Sequence, residues 1–144
     1  MNVIIRKLRK EDYKAVAAIW RDVLDIPVTD DELNRTYDKM NGDERYATFV
    51  AEADGTVVGL VTMVTALAIG HPNGYTKVNG LGVLKEYRNK GIGKLLMKQA
   101  EKEAVANGTG YIGLASGSSR KNAHRFYEQM GYQMTSYWFR KRLD

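Results

Sequence analysis

The chain has no cysteine, which removes disulfides, thiolate nucleophiles and cysteine-ligated zinc or iron–sulfur sites together. An oxidising compartment is then unnecessary for stability, and any chemistry proceeds without a protein thiol. Histidine occurs only at His71 and His124, which make neither a metal pair nor a catalytic triad, so no metal site is expected. No run is apolar enough to cross a bilayer. The uncharged stretch Val57–Gly70 is too short and too rich in threonine and glycine, and two adjacent buried strands explain it better. The N-terminus is charged within six residues and has no apolar signal core, which points to the cytoplasm. In that setting the acceptor triplets Asn34–Thr36 and Asn107–Thr109 carry no glycan.

What is present is a chain of 144 residues with ordinary apolar content, read as one domain over 1–144 without repeats, linker or low-complexity tract. The formal charge is +5, and it is unevenly placed. Basic residues gather at Arg88, Lys90, Lys94 and Lys98, at Arg120, Lys121 and Arg125, and at Arg140–Arg142, while Asp22–Glu44 is mostly acidic. Net charge speaks to partners rather than to fold. No helix-turn-helix, RNP or basic-helix pattern accompanies it, so nucleic acid and membrane are not expected partners.

Periodicity gives the elements. "NVIIRKL" reads as a strand, and Tyr13, Val16, Trp20, Val23 and Leu24 share a helix face. Pro27 ends that helix, and Thr29–Glu32 is a capping-box pattern opening a second helix to about Met40. Two apolar strands meet at Asp54-Gly55, a strong hairpin signal, and "HPNG" at His71–Gly74 is expected to turn the chain again. A strand over Tyr75–Val83 then feeds "EYRNKGIGKLL" and a helix whose Ile92, Leu95, Leu96, Ala100 and Ala104 share a face. A short strand "YIGLAS", a helix over about Asn122–Met130, and strands near Tyr132–Met134 and Tyr137–Leu143 follow. The order β-α-α-β-β-β-α-β-α-β-β is an α+β layered fold.

Several phosphate-binding patterns fail on this chain. A Walker A loop needs glycine where Arg88 stands and serine or threonine where Leu95 stands. Gly108, Gly110 and Gly113 have dinucleotide-fold spacing but follow a helix and enter a strand, the wrong order for aiming N–H groups at a pyrophosphate. What holds is Arg88-x-x-Gly91-x-Gly93 after a strand and opening a helix. Small residues let the backbone turn tightly with its free N–H groups pointing one way, and the helix N-terminus adds partial positive charge.

With that turn, the segments "VNGLGVLKEYRNKGIGKLL" and "NAHRFYEQMGY" together resemble the GNAT superfamily of acyl-CoA-dependent N-acyltransferases. The resemblance implies a GNAT-like mixed, mostly antiparallel sheet flanked by helices, with acetyl-CoA as co-substrate. It implies that the backbone of Arg88, Asn89, Lys90, Gly91, Ile92, Gly93 and Lys94 holds the pyrophosphate. Leu81, Gly82 and Val83 lie along the pantetheine arm, Leu81 and Val83 pairing with it, and the Leu81 N–H polarises the thioester carbonyl. A β-bulge near Asn79 and Gly80 opens the slot, and Asn122 meets the pantetheine or the phosphates. Tyr127 matches the general acid for the departing thiolate, and a phenol of pKa ~10 is suited to that role; the alternative for Tyr127 is a core aromatic.

The same resemblance places a small-molecule amine acceptor among Trp20, Asp22, Asp25, Tyr37, Tyr137 and Trp138, and leaves homodimerisation open. Many relatives carry a glutamate where this chain has Asn79, which leaves the base to ordered water or to a carboxylate such as Glu52. The expected reaction is acetyl transfer to a primary amine by direct attack in a ternary complex. A protein or peptide acceptor, or an acyl-CoA-binding module without turnover, are the alternatives.

Overall fold

Val3–Lys7 pairs antiparallel with Tyr46–Ala53, with Ile5 opposite Ala51, and these two strands, β1 and β2, start a five-stranded sheet. The computed structural model describes residues Met1–Asp144, in two compact units, Met1–Gly113 and Leu114–Asp144. Strands β3 (Thr56–Ala68), β4 (His71–Val83) and β5 (Ile112–Leu114) complete the sheet in the order β1-β2-β3-β4-β5. The β1–β2, β2–β3 and β3–β4 pairings are antiparallel. The β2–β3 hairpin turns at Asp54 and Gly55, whose φ values of 48° and 87° are the left-handed pair such a turn requires.

The helices are α1 (Tyr13–Asp22), α2 (Asp30–Met40), α3 (Ile92–Ala106) and α4 (Lys121–Gln129). Thr29 caps α2, its hydroxyl accepting from the Glu32 N–H at 3.1 Å, as the capping pattern predicts. On one side of the sheet Val16, Ala17 and Ile19 of α1 and Leu33 and Tyr37 of α2 are buried with Val50 of β2 and Leu60 of β3. Fully burying each such aliphatic side chain contributes about 1.5–3 kcal/mol before entropy is counted. Helix α3 buries Ile92, Leu96, Met97, Ala100 and Ala104. Leu95, expected on that stripe, is 44% exposed, and Met97 takes its place because the 92-96-100-104 row continues through 97 rather than 95.

A nearly buried ion cluster fixes the entry to α1. Arg6 on β1 forks onto both carboxylate oxygens of Asp12 at 2.7 and 2.9 Å, and its Nε donates to Glu52 Oε2 on β2 at 3.1 Å. Asp12 Oδ2 also accepts the Arg9 N–H at 2.7 Å. The Arg6 bond, more than any other influence, holds the Asp12 carboxyl below its ordinary pKa.

Two expectations about turns and strands are corrected. The chain reverses at Gly70 (φ 94°) rather than within His71–Gly74, which is already part of β4. Between the pairs Ala66–Tyr75 and Ala68–His71, Leu67 alone faces three residues, so Pro72, Asn73 and Gly74 are accommodated as a bulge. Tyr132–Met134 and Tyr137–Leu143 form no strands, so the sheet has five strands where seven are expected. A β-prone stretch needs a partner strand, and Phe139 and Leu143 are 90% and 93% exposed. No helix is long and apolar enough to cross a membrane.

Candidate active site

The bulge expected in β4 is present. Thr62 of β3 pairs with Gly80, but its neighbour Met63 pairs with Val78, so Asn79 is the extra residue with no partner across the strand pair. Asn79 is exposed, and Gly80, Leu81, Gly82 and Val83 follow it to the end of the strand. The two glycines serve a further purpose besides the bulge. A methyl group on Gly80 would collide with Trp20 of α1, and one on Gly82 would lie 3.0 Å from Ile19 Cγ2 and 3.3 Å from both Leu24 and Val23. Glycine at both positions lets the end of α1 rest directly on the strand backbone.

Beyond β4, a 3₁₀ turn over Lys85–Tyr87 leads to Arg88, whose N–H is already bonded to Lys85 O at 3.2 Å. The next backbone N–H bonded outward from this loop is that of Leu95, to Gly91 O at 3.1 Å, at the start of α3. Between them Asn89 (φ 61°) and Gly91 (φ 82°) are left-handed, which curls Asn89–Gly91 into the first turn of the helix. The N–H groups of Ile92, Gly93 and Lys94 belong to that first turn and have no partner within the helix. Asn89, Lys90, Gly91 and Lys94 are exposed, whereas Ile92 is buried and anchors the turn. Arg88 bends its side chain back, Nε donating to Val83 O at 3.3 Å, which ties the turn to the last residue of β4. One connected stretch thus offers a bulged strand end, an anion-friendly turn and a helix N-terminus.

Residues Leu114–Asp144 carry the other expected site residues. Asn122 lies in the first turn of α4 and accepts from the Arg125 side chain. Tyr127 is half-buried, its ring edge-on to Phe126 at 5.2 Å and to Tyr132 at 5.9 Å. Burial pushes its hydroxyl pKa above the ordinary value, with Arg120 pulling the other way, so the phenol is protonated at neutral pH. His124 Nε2 lies 2.8 Å from Gly117 O, tying α4 to the loop before it.

Of the expected acceptor walls, Tyr37 is 8% exposed and belongs to the core, so it lines no pocket itself. Its ring stacks on Tyr13 with centroids 5.2 Å apart. Asp22 and Asp25 are exposed at the end of α1, and Tyr137 and Trp138 are 79% and 68% exposed. Glu52, the carboxylate considered as base, is committed to Arg6 and sits on β2 opposite Ile4 and Val57. The contact between Trp20 and Gly80 escaped the sequence reading. Its signal was two glycines at i and i+2 on one strand face, the mark of a close approach.

Residues 5–132 match the model of the acetyltransferase (GNAT) family, a span that includes β4, the turn, α3 and α4. The chain belongs to the GNAT family. It is 49% identical over 55 residues to the uncharacterized N-acetyltransferase YhdJ of Bacillus subtilis (strain 168), a match covering 38% of this chain and 39% of that protein. It is 33% identical over 94 residues to the aminoalkylphosphonate N-acetyltransferase of Salmonella typhimurium, covering 65% of this chain and 61% of that one. The aligned chain therefore spans less than two thirds of either relative's length. The aminoglycoside N-acetyltransferase AAC(6')-Iy, solved in complex with CoA, superposes with a TM-score of 0.86 at 18% identity, covering 98% of this chain and 95% of that one. At that identity the likeness is one of fold.

Proposed function

We propose that residues 1–144 act as one domain that moves an acetyl group from acetyl-CoA to a primary amine of a small molecule, by direct attack in a ternary complex. The observation that carries the reading is the run from the Asn79 bulge through the left-handed Asn89 and Gly91 to the first turn of α3. It fits a pyrophosphate followed by an extended arm. The N–H groups of Asn89–Lys94 would hold the phosphates, with Arg88 supplying side-chain charge rather than its N–H, which Lys85 already takes. Leu81, Gly82 and Val83 would lie along the arm, and Asn122 would meet it from α4. The acceptor class is supported by the relative named an aminoalkylphosphonate N-acetyltransferase.

Acetyl-CoA brings an activated thioester to this frame. The Leu81 N–H donates to the carbonyl oxygen where negative charge develops. The Tyr127 hydroxyl, held protonated by its burial, gives its proton to the departing sulfur. Asn79 cannot accept a proton near neutrality, and Glu52 is paired with Arg6. An alkyl amine of pKa ~10.4 is only about one part in 2,500 neutral at pH 7, a handicap of roughly 4.6 kcal/mol. Turnover at subsaturating amine should therefore climb with pH toward the amine's own pKa.

Titration calorimetry and thermal denaturation with acetyl-CoA test the reading, since a ligand of the folded state raises the melting temperature by mass action. Thiol release against polyamines, aminoglycosides, amino acids, aminophosphonates and lysine peptides then identifies the acceptor. No heat and no thermal shift at millimolar CoA would end the proposal.

A further inference from the structure

We infer that Trp20 is the residue that limits bulk beside the attacked nitrogen: its indole is a fixed wall over the β4 bulge that admits an amine on an unbranched carbon and excludes one on a branched carbon. The inference rests on the acyl-transfer reading above. The six-membered ring of Trp20 covers Gly80, where an added Cβ would lie 3.0 Å from Cζ2 and 3.1 Å from Cζ3 and still closer to Cη2. Gly80 immediately precedes Leu81, whose N–H is assigned to the acyl carbonyl. One strand residue spans roughly 3.3 Å. An attacking nitrogen must come within about 3–3.5 Å of the acyl carbon, so a substituent on its α-carbon meets the same ring.

The ring is also prevented from moving aside. It packs against the buried cluster of Val16, Ile19, Leu33 and Tyr37. Tyr37 is buried and stacked on Tyr13, with centroids 5.2 Å apart and planes 23° apart. On the sheet beside this cluster, buried Thr48 Oγ1 lies 2.8 Å from Thr62 Oγ1. Thr62 stands opposite Gly80 across the β3–β4 pair, so the support returns to the strand that the indole covers. Below it, Ile19, Val23 and Leu24 fill the space at Gly82. Trp20 therefore presents an uncharged aromatic surface to an incoming amine.

The test uses the full chain, its Trp20→Leu and Trp20→Phe variants, and primary amines active in thiol release, each paired with its α-methyl homologue, beginning with butylamine. The expected result is a rise of ~10-fold or more in relative kcat/KM for the branched partner in Trp20→Leu, the discrimination that about one methylene of space carries. Trp20→Phe should move the ratio in the same direction by a smaller factor, and the CoA-induced thermal shift should stay as in wild type. Trp20→Phe also covers the case in which Trp20→Leu does not fold. Equal loss of activity toward both partners, with an unchanged ratio in every folded variant, would show a structural Trp20 and overturn the inference. So would a gain for propionyl-CoA over acetyl-CoA with the amine ratio unmoved, which would place the wall on the donor side. Wild-type protein with no CoA shift and no thiol release would remove the acyl-transfer reading and the role of Trp20 with it.

Discussion

Every buried hydrophobic side chain lies between Val16 and Ala104, whereas α4 has no buried residue at all. In Met1–Gly113 the turn after β4 is shaped by packing: Ile92 is buried beneath it, and glycines bring α1 onto the strand before it. In Leu114–Asp144 shape comes from local bonds, including Arg120 N–H to Gly117 O and Tyr132 N–H to Tyr127 O, both 3.0 Å. Ring contacts of Tyr127 with its near neighbours add to these. The turn after β4 is thus built into a core, and Tyr127, the proposed proton donor, is carried on an element without one.

The largest effect expected from this contrast is at Tyr127. Tyr127→Phe keeps both ring contacts and should leave CoA affinity and melting temperature nearly unchanged while lowering kcat by ~10²–10⁴. Steady-state kinetics alongside calorimetry measures both quantities. Loss of fold with an undiminished rate per folded molecule would instead make Tyr127 a core aromatic, and the chemistry would have to be sought elsewhere.

The next effect lies at the opposite end of the chain. Removing the Asp12 carboxylate leaves Arg6 nearly buried with only Glu52 to answer it, so Asp12→Ala should destabilise the fold by about 3 kcal/mol at pH 7. The folded-state pKa of Asp12 lies below its ordinary value. Its contribution is therefore complete above that ordinary value and is lost as pH falls through the lower, folded-state value. Urea unfolding of wild type and Asp12→Asn should show two stability curves that run parallel near neutrality and converge at acid pH. Asp43, held near pKa 2 by Arg45, titrates in the same acid range in both proteins and cancels from the difference. Curves that stay parallel down to pH 2 would show that the pair contributes nothing in solution.

Much of the turn after β4 was legible in the sequence because it is written in local backbone rules. A glycine pair before a run of helix formers predicts the α3 entry, and Asp54-Gly55 predicts its hairpin, since left-handed φ values restrict residue type. The bulge at Asn79 was legible only through the family resemblance, because nothing in "KVNGLG" says which residue is left unpaired. The acceptor side was not legible, since it depends on contacts between residues far apart in the chain. Tyr37 reads as a helix-face aromatic that could face a pocket, yet it is buried and stacked on Tyr13, which makes it core. Glu52 reads as a carboxylate near the site, and only the β1–β2 register reveals that Arg6 holds it.

The smallest expected effect tests the tail, where the sequence expectation and the structure part most clearly. Tyr137–Leu143 begins with the aromatic run expected of a strand, yet Met134, Tyr137, Phe139 and Leu143 are 79–93% exposed. Fully burying a phenylalanine contributes about 1.5–3 kcal/mol, and a side chain 90% exposed retains only a small fraction of that. Phe139→Ser should accordingly change unfolding free energy by no more than about 0.5 kcal/mol, the range of ordinary surface substitutions. Urea unfolding at two protein concentrations makes the measurement decisive. A loss of 1–3 kcal/mol at both concentrations would mean that Phe139 is covered within a single chain and that the expected strand forms in solution. A loss that grows with concentration would mean that a second copy covers it, because only association makes stability depend on protomer concentration. With neither loss, the contrast between a packed Met1–Gly113 and a thinly packed Leu114–Asp144 stands.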